Sequence, residues 1–506
     1  MNSQSRGRAC SALTGALLLV ALAATACATT TRQTRPAPAA PPAPPALATL
    51  ARDLDAILAE PALQHGYWGV LVRSLDNDQT LYSVNAHRLM LPASSMKVVT
   101  LAAAAEKLGW DFRYDTTLYA AGAVEAGTLQ GDLVVVGSGD PSLTVADGMA
   151  DRVFAEWAGA LKQRGIRTIA GRVVGDDNRF EDETLGFGWS WDDLPDDYAA
   201  GVGALQFNEN AVRVTVAPGP AAGDSAGIAI APGGSGLTVV NGVTTGAAGG
   251  ATSVSTRRLP GTTTLELRGA IALGATPSTL DVSVDNPTQF FAAALRGALI
   301  ANGIDVRGEA ADIDGIRNPP RPAGAPLVAY RSPPLSALAV RLMKISQNQY
   351  AETFLKTLAD GPVRSAAAGR TAALAILHGW GVQPSDLIMR DGSGLTRYDF
   401  VTPDALVTVL THAYRDAKLR GPFEASLPIA GRDGTLANRM KGTTAEGNAR
   451  AKTGSMSNVR ALSGYVTSAD GDPLVFSIIA NNFETTADVV NRATDAIVVR
   501  LAQFTR

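Results

Sequence analysis

Residues 91–97 read LPASSMK, two adjacent serines with a lysine inside one helical turn. The run that follows, VVTLAAAAEKLGW, is rich in alanine and leucine and predicts a helix that ends near Gly109. On a helix, positions i and i+3 share a face, so the Lys97 ammonium reaches the Ser94 hydroxyl. Ser95 has Val98 at that spacing, so it is expected only to pack or to cap the helix start. Lysine is scarce in this chain: eight lysines stand against 36 arginines. One set against an apolar helix therefore needs a reason. Alone, Ser-x-x-Lys is weak, since such a tetrapeptide arises about once by chance in a chain this long.

Two further motifs strengthen it. KISQN carries Ser346 and Asn348, and AKTGS carries Lys452, Thr453, Gly454 and Ser455. Three of the eight lysines (Lys97, Lys344 and Lys452) fall in the three motifs, and 248 residues separate the first from Ser346. Together they make an acyl-transfer site. A serine hydroxyl needs a base at neutral pH, and none of the four histidines (His65, His87, His378, His412) is placed to supply one. A lysine serves if burial and a second cation lower its pKa, and Lys452 is the expected neighbour of Lys97. The two should titrate as a coupled pair.

Each remaining residue then has a task. Ser346 can relay a proton to a leaving amine. Asn348 can donate to a substrate amide and hold Lys97. Gly454 lets a substrate backbone pair close against its strand, and Lys452 with the Thr453 and Ser455 hydroxyls suits a terminal carboxylate. The backbone N–H groups of Ser94 and Ser455 are the expected oxyanion hole. This chemistry uses the chain's own groups and calls for no cofactor and no metal.

A rival serine lies in GDSAG (Gly223–Gly227), which matches the Gly-x-Ser-x-Gly nucleophile elbow. That elbow needs a strand before it and a helix after it. Here Pro218 and Pro220 precede Ser225 and the strand-like IAIAPG follows, so a loop is expected.

The wider chain bounds these readings. With 506 residues, 46% hydrophobic and 18% charged, it is long enough for two or three domains. With a net charge of −3, nothing points to a nucleic-acid partner, which would favour a basic face. Arg6 and Arg8 precede the apolar run ALTGALLLVALAA, too short to span a bilayer comfortably, so residues 1–26 are expected to be an export signal. Cleavage after Ala26 would leave Cys27 first, as in a bacterial lipoprotein. Ala24, however, stands where that signal usually has Leu, and ordinary cleavage after A-x-A fits as well. A membrane contact is expected only through such an anchor. Cys10 and Cys27 are the only cysteines, so the exported chain is expected to hold no internal disulfide. Residues 27–46, ending in RPAPAAPPAPPA, read as a semi-extended linker.

From Leu47 a helix precedes two strands, YWGVLVRSL and TLYSVN, joined by the turn DNDQ. Helices dominate again beyond Pro334, and ALSGYVTSADGDPLVFSIIANN is a hairpin turning at Asp470-Gly471, followed by a helix. The fold class is therefore α/β (α+β): one sheet built from both ends of the chain. Residues 47–115 and 327–506 form the catalytic domain, and a β-rich insertion, 116–326, interrupts it. The insertion holds short strands such as AVRVTVAPG and TTTLELRGAIALG between Gly/Pro turns, and is expected to divide in two.

On PASSMK, KISQN and AKTGS, together with GDLVVVGSGDPSLT, GWSWDD, DGSGLTRYD and GRDGTLANRM, the chain resembles the class C penicillin-binding proteins. These are periplasmic D-alanyl-D-alanine carboxypeptidase/endopeptidases of the penicillin-binding protein 4 type. The resemblance runs from about Leu47 to Arg506, and the long insertion is its mark. It implies a serine β-lactamase/transpeptidase-like fold, peptidoglycan peptides as substrates, β-lactams as covalent inhibitors and an acyl-enzyme on Ser94. It also implies a pocket for a diaminopimelate side chain at Asp193, Tyr198, Arg397 and Ser457, with Asp193 and Arg397 facing that group's ammonium and carboxylate. Read alone, Asp193 fits a solvated loop equally well. Gln347 departs from the family, which usually has Asp there, and tuning rather than loss is expected. Two alternatives stay open. A serine β-lactamase would need an added base for deacylation, to which no motif points. A non-catalytic peptidoglycan-binding protein would not need all five of Ser94, Lys97, Ser346, Asn348 and Lys452. Oligomeric state is not legible.

Overall fold

The computed structural model describes residues 45–506. The expected export signal, Cys27 and most of the Pro/Ala linker lie outside them. Pro45 and Ala46, read as the end of that linker, instead open the first helix, Pro45–Leu58. Proline is tolerated there because the first helical N–H has no intrahelical partner.

Strands from both chain ends form one antiparallel sheet in the order Thr80–Val84, Tyr67–Ser74, Pro473–Asn481, Val459–Thr467, Arg450–Met456. Alternation sorts its side chains onto two faces. Val70, Val72, Leu474, Phe476 and Ile478 pack under the first helix and the last, Ala487–Ala502. Each such buried side chain contributes ~1.5–3 kcal/mol of hydrophobic stabilisation. Arg500 clamps the two helices through Asp53 at 2.8 Å. Leu71, Val475 and Ile479 face the other way, onto the helices Met96–Leu108 and Pro403–Arg415. The strand bearing Lys-Thr-Gly is an edge strand, and on its outer side the pairing found among the described residues is at its start, between Ile429 and Arg450. The C-terminal hairpin is therefore the inner part of a three-stranded meander.

The insertion is built on a five-stranded mixed sheet: Ala310–Asp312, Val173–Asp176, Asp132–Gly137, Asp115–Ala121, Ala323–Arg331. The helices Met149–Gln163 and Pro287–Ala301 close its core around Phe154, Trp157, Phe290 and Phe291. A second core, around Val214, Val216, Leu265 and Leu267, lies among two three-stranded sheets formed within residues 211–283. The strand Ala323–Arg331 spans the boundary expected at 326/327: its pairing with Asp115–Ala121 shifts register between Ala323 and Val328, which accommodates Pro326 as a bulge, and resumes through Arg331. The chain therefore leaves the insertion after Arg331. Ser225 is followed by the strand Gly227–Ala231 and not by a helix, so GDSAG is no nucleophile elbow.

Candidate active site

The start of the helix Met96–Leu108 is preceded by a tighter turn, Ala93–Ser95, which presents Ser94. Ala93 adopts a left-handed conformation, φ 45°, unusual for a residue with a Cβ and costing of order 1 kcal/mol. Two glycines make room for this turn. A Cβ on Gly394 would lie 1.9 Å from the Ala93 oxygen, and one on Gly454 would lie 2.5 Å from the Pro92 oxygen. Gly454 is thus required where its strand rests on the serine turn, which differs from the expected reason, room for a substrate.

Lys97 is fully buried. Its Nζ lies 2.8 Å from Ser94 Oγ, 2.5 Å from Asn348 Oδ1 and 2.9 Å from the Ser393 oxygen. Burial brings its pKa down to about 7, against the opposing pull of the Asp391 and Glu352 carboxylates. Lys452, equally buried, donates to Ser346 Oγ at 2.8 Å and to the Thr453 oxygen at 2.8 Å. Burial first, and the Lys97 charge second, hold it well below the usual lysine range. The site therefore holds two serine–lysine pairs whose ammonium groups repel. That repulsion is one interaction shared by both lysines, and it falls on Lys452 because two carboxylates stand by Lys97.

Asn348 orients Lys97 as expected, but its amide donates to the Tyr198 carbonyl at 2.7 Å and is not turned to a substrate. Ser346 is also left-handed, φ 64°. Ser95 is buried, and among the described residues its hydroxyl neither caps the helix nor finds any other partner. Of the two roles expected for it, it only packs. Thr453 bonds the Thr435 hydroxyl at 2.8 Å.

Ser94, Ser346, Asn348 and Ser455 line a cleft of about 430 Å³. Asp193, Tyr198, Arg397 and Ser457 line the same cleft, brought there by the insertion and by two loops of the catalytic unit. Tyr198 donates to Asp193 at 2.9 Å, and the neighbouring carboxylates Asp193 and Asp196 reinforce burial in raising its pKa. Among the described residues neither Asp193 nor Arg397 forms an ion pair, and Arg397 makes a long 3.4 Å contact with the Ser457 oxygen.

Sequence reasoning missed what stands behind Lys97. Glu352 accepts the N–H groups of Gly392 (3.0 Å) and Ser393 (2.7 Å), which aims the Ser393 carbonyl at the lysine. Burial and the Asp391 charge push Glu352 up to about 7. Asp391 holds the rest of this loop through Gly394 N and Thr396 N, and takes Trp189 Nε1 from the insertion. Asp391, Ser393 and Thr435 sit in DGSGLTRYD and GRDGTLANRM, stretches the resemblance had marked. Nothing in the sequence distinguished Glu352.

The chain matches the model of the D-Ala-D-Ala carboxypeptidase 3 (S13) family over residues 50–504. It is 37% identical over 472 residues to a D-alanyl-D-alanine carboxypeptidase of Actinomadura sp. strain R39, covering 90% of this chain and 85% of the relative. The fold superposes on penicillin-binding protein 4 of Haemophilus influenzae with a TM-score of 0.77 at 27% identity, covering 90% of this chain and 99% of that one. The complex of that protein with a β-lactam gives a TM-score of 0.72 at 25% identity, with the same coverage. With the match spanning the catalytic sheet, the insertion and the cleft between them, the chain belongs to the D-Ala-D-Ala carboxypeptidase 3 (S13) family and is a serine-type D-alanyl-D-alanine carboxypeptidase.

Proposed function

We propose that Ser94 is the nucleophile and Lys97 its base, and that the enzyme acts on peptidoglycan stem peptides and on their cross-links through an acyl-enzyme. The observation that carries this is the buried Lys97, drawn down to about 7, with its Nζ 2.8 Å from Ser94 Oγ. Neutral Lys97 accepts the Ser94 proton as Oγ attacks the penultimate D-alanine carbonyl carbon. The oxyanion forms beside the backbone N–H groups of Ser94 and Ser455. The coupled lysine pair holds the proton taken from Ser94, and Ser346, bonded to Lys452, passes it to the departing amine as the C–N bond breaks. Water then attacks the ester carbonyl carbon, giving one proton to the pair, and Lys97 returns it to Ser94 Oγ as the acyl–oxygen bond breaks.

The departing amine is a terminal D-alanine in the carboxypeptidase reaction. It is a diaminopimelate side chain in the endopeptidase reaction. Asp193 and Arg397, both free of ion pairs among the described residues, take that side chain's ammonium and carboxylate. A β-lactam carbonyl meets Ser94 in the same way and leaves a long-lived adduct. Residues 1–26 direct the chain out of the cytoplasm, the work is periplasmic, and Cys27 is the candidate lipid attachment point.

The test is the product profile on purified cross-linked muropeptides, with Ser94→Ala as control. Release of D-alanine and of resolved monomers, both lost in Ser94→Ala, is the expected result. Rapid turnover of penicillin would point to a β-lactamase instead. Peptidoglycan binding without uptake of labelled penicillin would point to a non-catalytic binder.

A further inference from the structure

The insertion meets the Ser346–Asn348 turn at the Tyr198 carbonyl, which takes the Asn348 amide, and at one carboxylate, Glu209. Gln347 Nε2 donates to Glu209 Oε2 at 2.8 Å, while Gln347 Oε1 accepts from Gln349 N at 3.2 Å and so starts the next helix. Arg341, in the last turn of the helix Leu335–Lys344, grips the other Glu209 oxygen. The glutamate is mostly buried, its side chain 16% exposed.

Its backbone is the unusual part. Asn208, Glu209 and Asn210 are three consecutive left-handed residues, with φ 49°, 56° and 56°. Left-handed backbone costs a residue with a Cβ roughly 1–2 kcal/mol, and a run of three is rare. Asparagine offsets part of that with local hydrogen bonds. Asn208 donates to the Ala211 oxygen at 2.7 Å, and Asn210 Oδ1 accepts from Phe207 N at 3.3 Å. Glutamate has no such local bond, and its side chain is spent wholly on Gln347 and Arg341.

We propose that Glu209 is a positioning residue for the reaction. Presented by a strained turn of the insertion, it holds Gln347 and thereby sets the Ser346–Asn348 turn against both lysines. This rests on the roles assigned above to Ser346 and Asn348. It also explains the departure at position 347. An acidic residue there would face the Glu209 carboxylate, whereas an amide can donate to it.

The test is a four-member cycle: wild type, Glu209→Gln, Gln347→Asp and the double variant, each followed by its rate of covalent labelling with a fluorescent penicillin. Gln347→Asp sets two carboxylates together, and labelling should fall about a hundredfold. Glu209→Gln should fall about fivefold to tenfold. In the double variant an amide at 209 can donate to the carboxylate at 347, one methylene shorter than the native side chain, so labelling should recover to within about tenfold of wild type, well above the product of the two single losses. Losses that simply multiply in the double variant, or a Gln347→Asp enzyme as fast as wild type, overturn the proposal. If Gln347→Asp does not fold, Glu209→Gln decides alone. Slowed labelling at an unchanged melting temperature supports the proposal, and wild-type labelling overturns it. Labelling that survives Ser94→Ala would be a different failure, that of the nucleophile assignment.

Discussion

The two adjacent serines of LPASSMK have opposite fates, decided by which way each side chain points. Ser94 meets Lys97 in the cleft, while Ser95 is buried with its hydroxyl unpartnered. Ser94→Ala is expected to abolish labelling by fluorescent penicillin. Ser95→Ala should leave labelling largely intact and raise the melting temperature by ~1–2 °C, since it removes an unsatisfied buried polar group. Calorimetry beside the labelling assay checks both. Lys97 sets the pH dependence. Below its pKa of about 7 it carries a proton and cannot accept one from Ser94, so acylation should fall as pH falls through about 7. Glu352 titrates in the same range, so the limb belongs to the pair. Removing a carboxylate that favours charged Lys97, as in Glu352→Gln, should move the limb to lower pH. A pH–rate profile of acylation tests the shift.

Among the elements, the edge strand Arg450–Met456 and the turn Ala93–Ser95 meet with no room between them. A methyl on Gly454 would lie 3.2 Å from Ser95 N as well as 2.5 Å from the Pro92 oxygen. Both are backbone atoms and cannot swing aside. Gly454→Ala is therefore expected to push the strand off the serine turn, lowering the unfolding free energy by ~1–3 kcal/mol and slowing acylation about a hundredfold. Urea denaturation and labelling rates measure the two effects. The helix Asn348–Thr357 teaches a different lesson. All ten of its residues are buried, although Asn348, Gln349, Thr353 and Lys356 give it a polar face suited to solvent.

In the whole molecule that polar face is covered by the insertion. Gln206 bonds Gln349 at 2.6 Å and Thr353 at 2.9 Å, and Lys356 donates to the carbonyls of Glu183 (2.6 Å) and Val202 (3.1 Å). With Asn348 on Tyr198, one helix is held along its length, so the insertion is a wall of the catalytic machinery as well as of the cleft. Lys356→Met fills similar space but strands the buried Val202 carbonyl and frees that of the exposed Glu183. It should lower the unfolding free energy by ~1–3 kcal/mol, measured in urea, and slow acylation through the loosened helix.

The sequence by itself determined the chemistry and the outline. Ser-x-x-Lys fixes a lysine one turn from a serine by helical spacing alone, and near-continuous apolar runs mark Tyr67–Ser74 and Pro473–Asn481 as strands with two buried faces. The motif lysines were recognisable because lysine is rare here, and Asp193, Tyr198, Arg397 and Ser457 because whole stretches resembled a family. Only the tertiary structure decided how the lysines are tuned. Burial depends on what covers a residue, and residues distant in sequence do the covering. Glu352 behind Lys97, Tyr198 over Asn348, Thr435 on Thr453 and Glu209 on Gln347 are all contacts of this kind. Local spacing carries no information about such contacts, because they form only when distant segments fold together, within the catalytic unit for Glu352 and Thr435 and between it and the insertion for Tyr198 and Glu209.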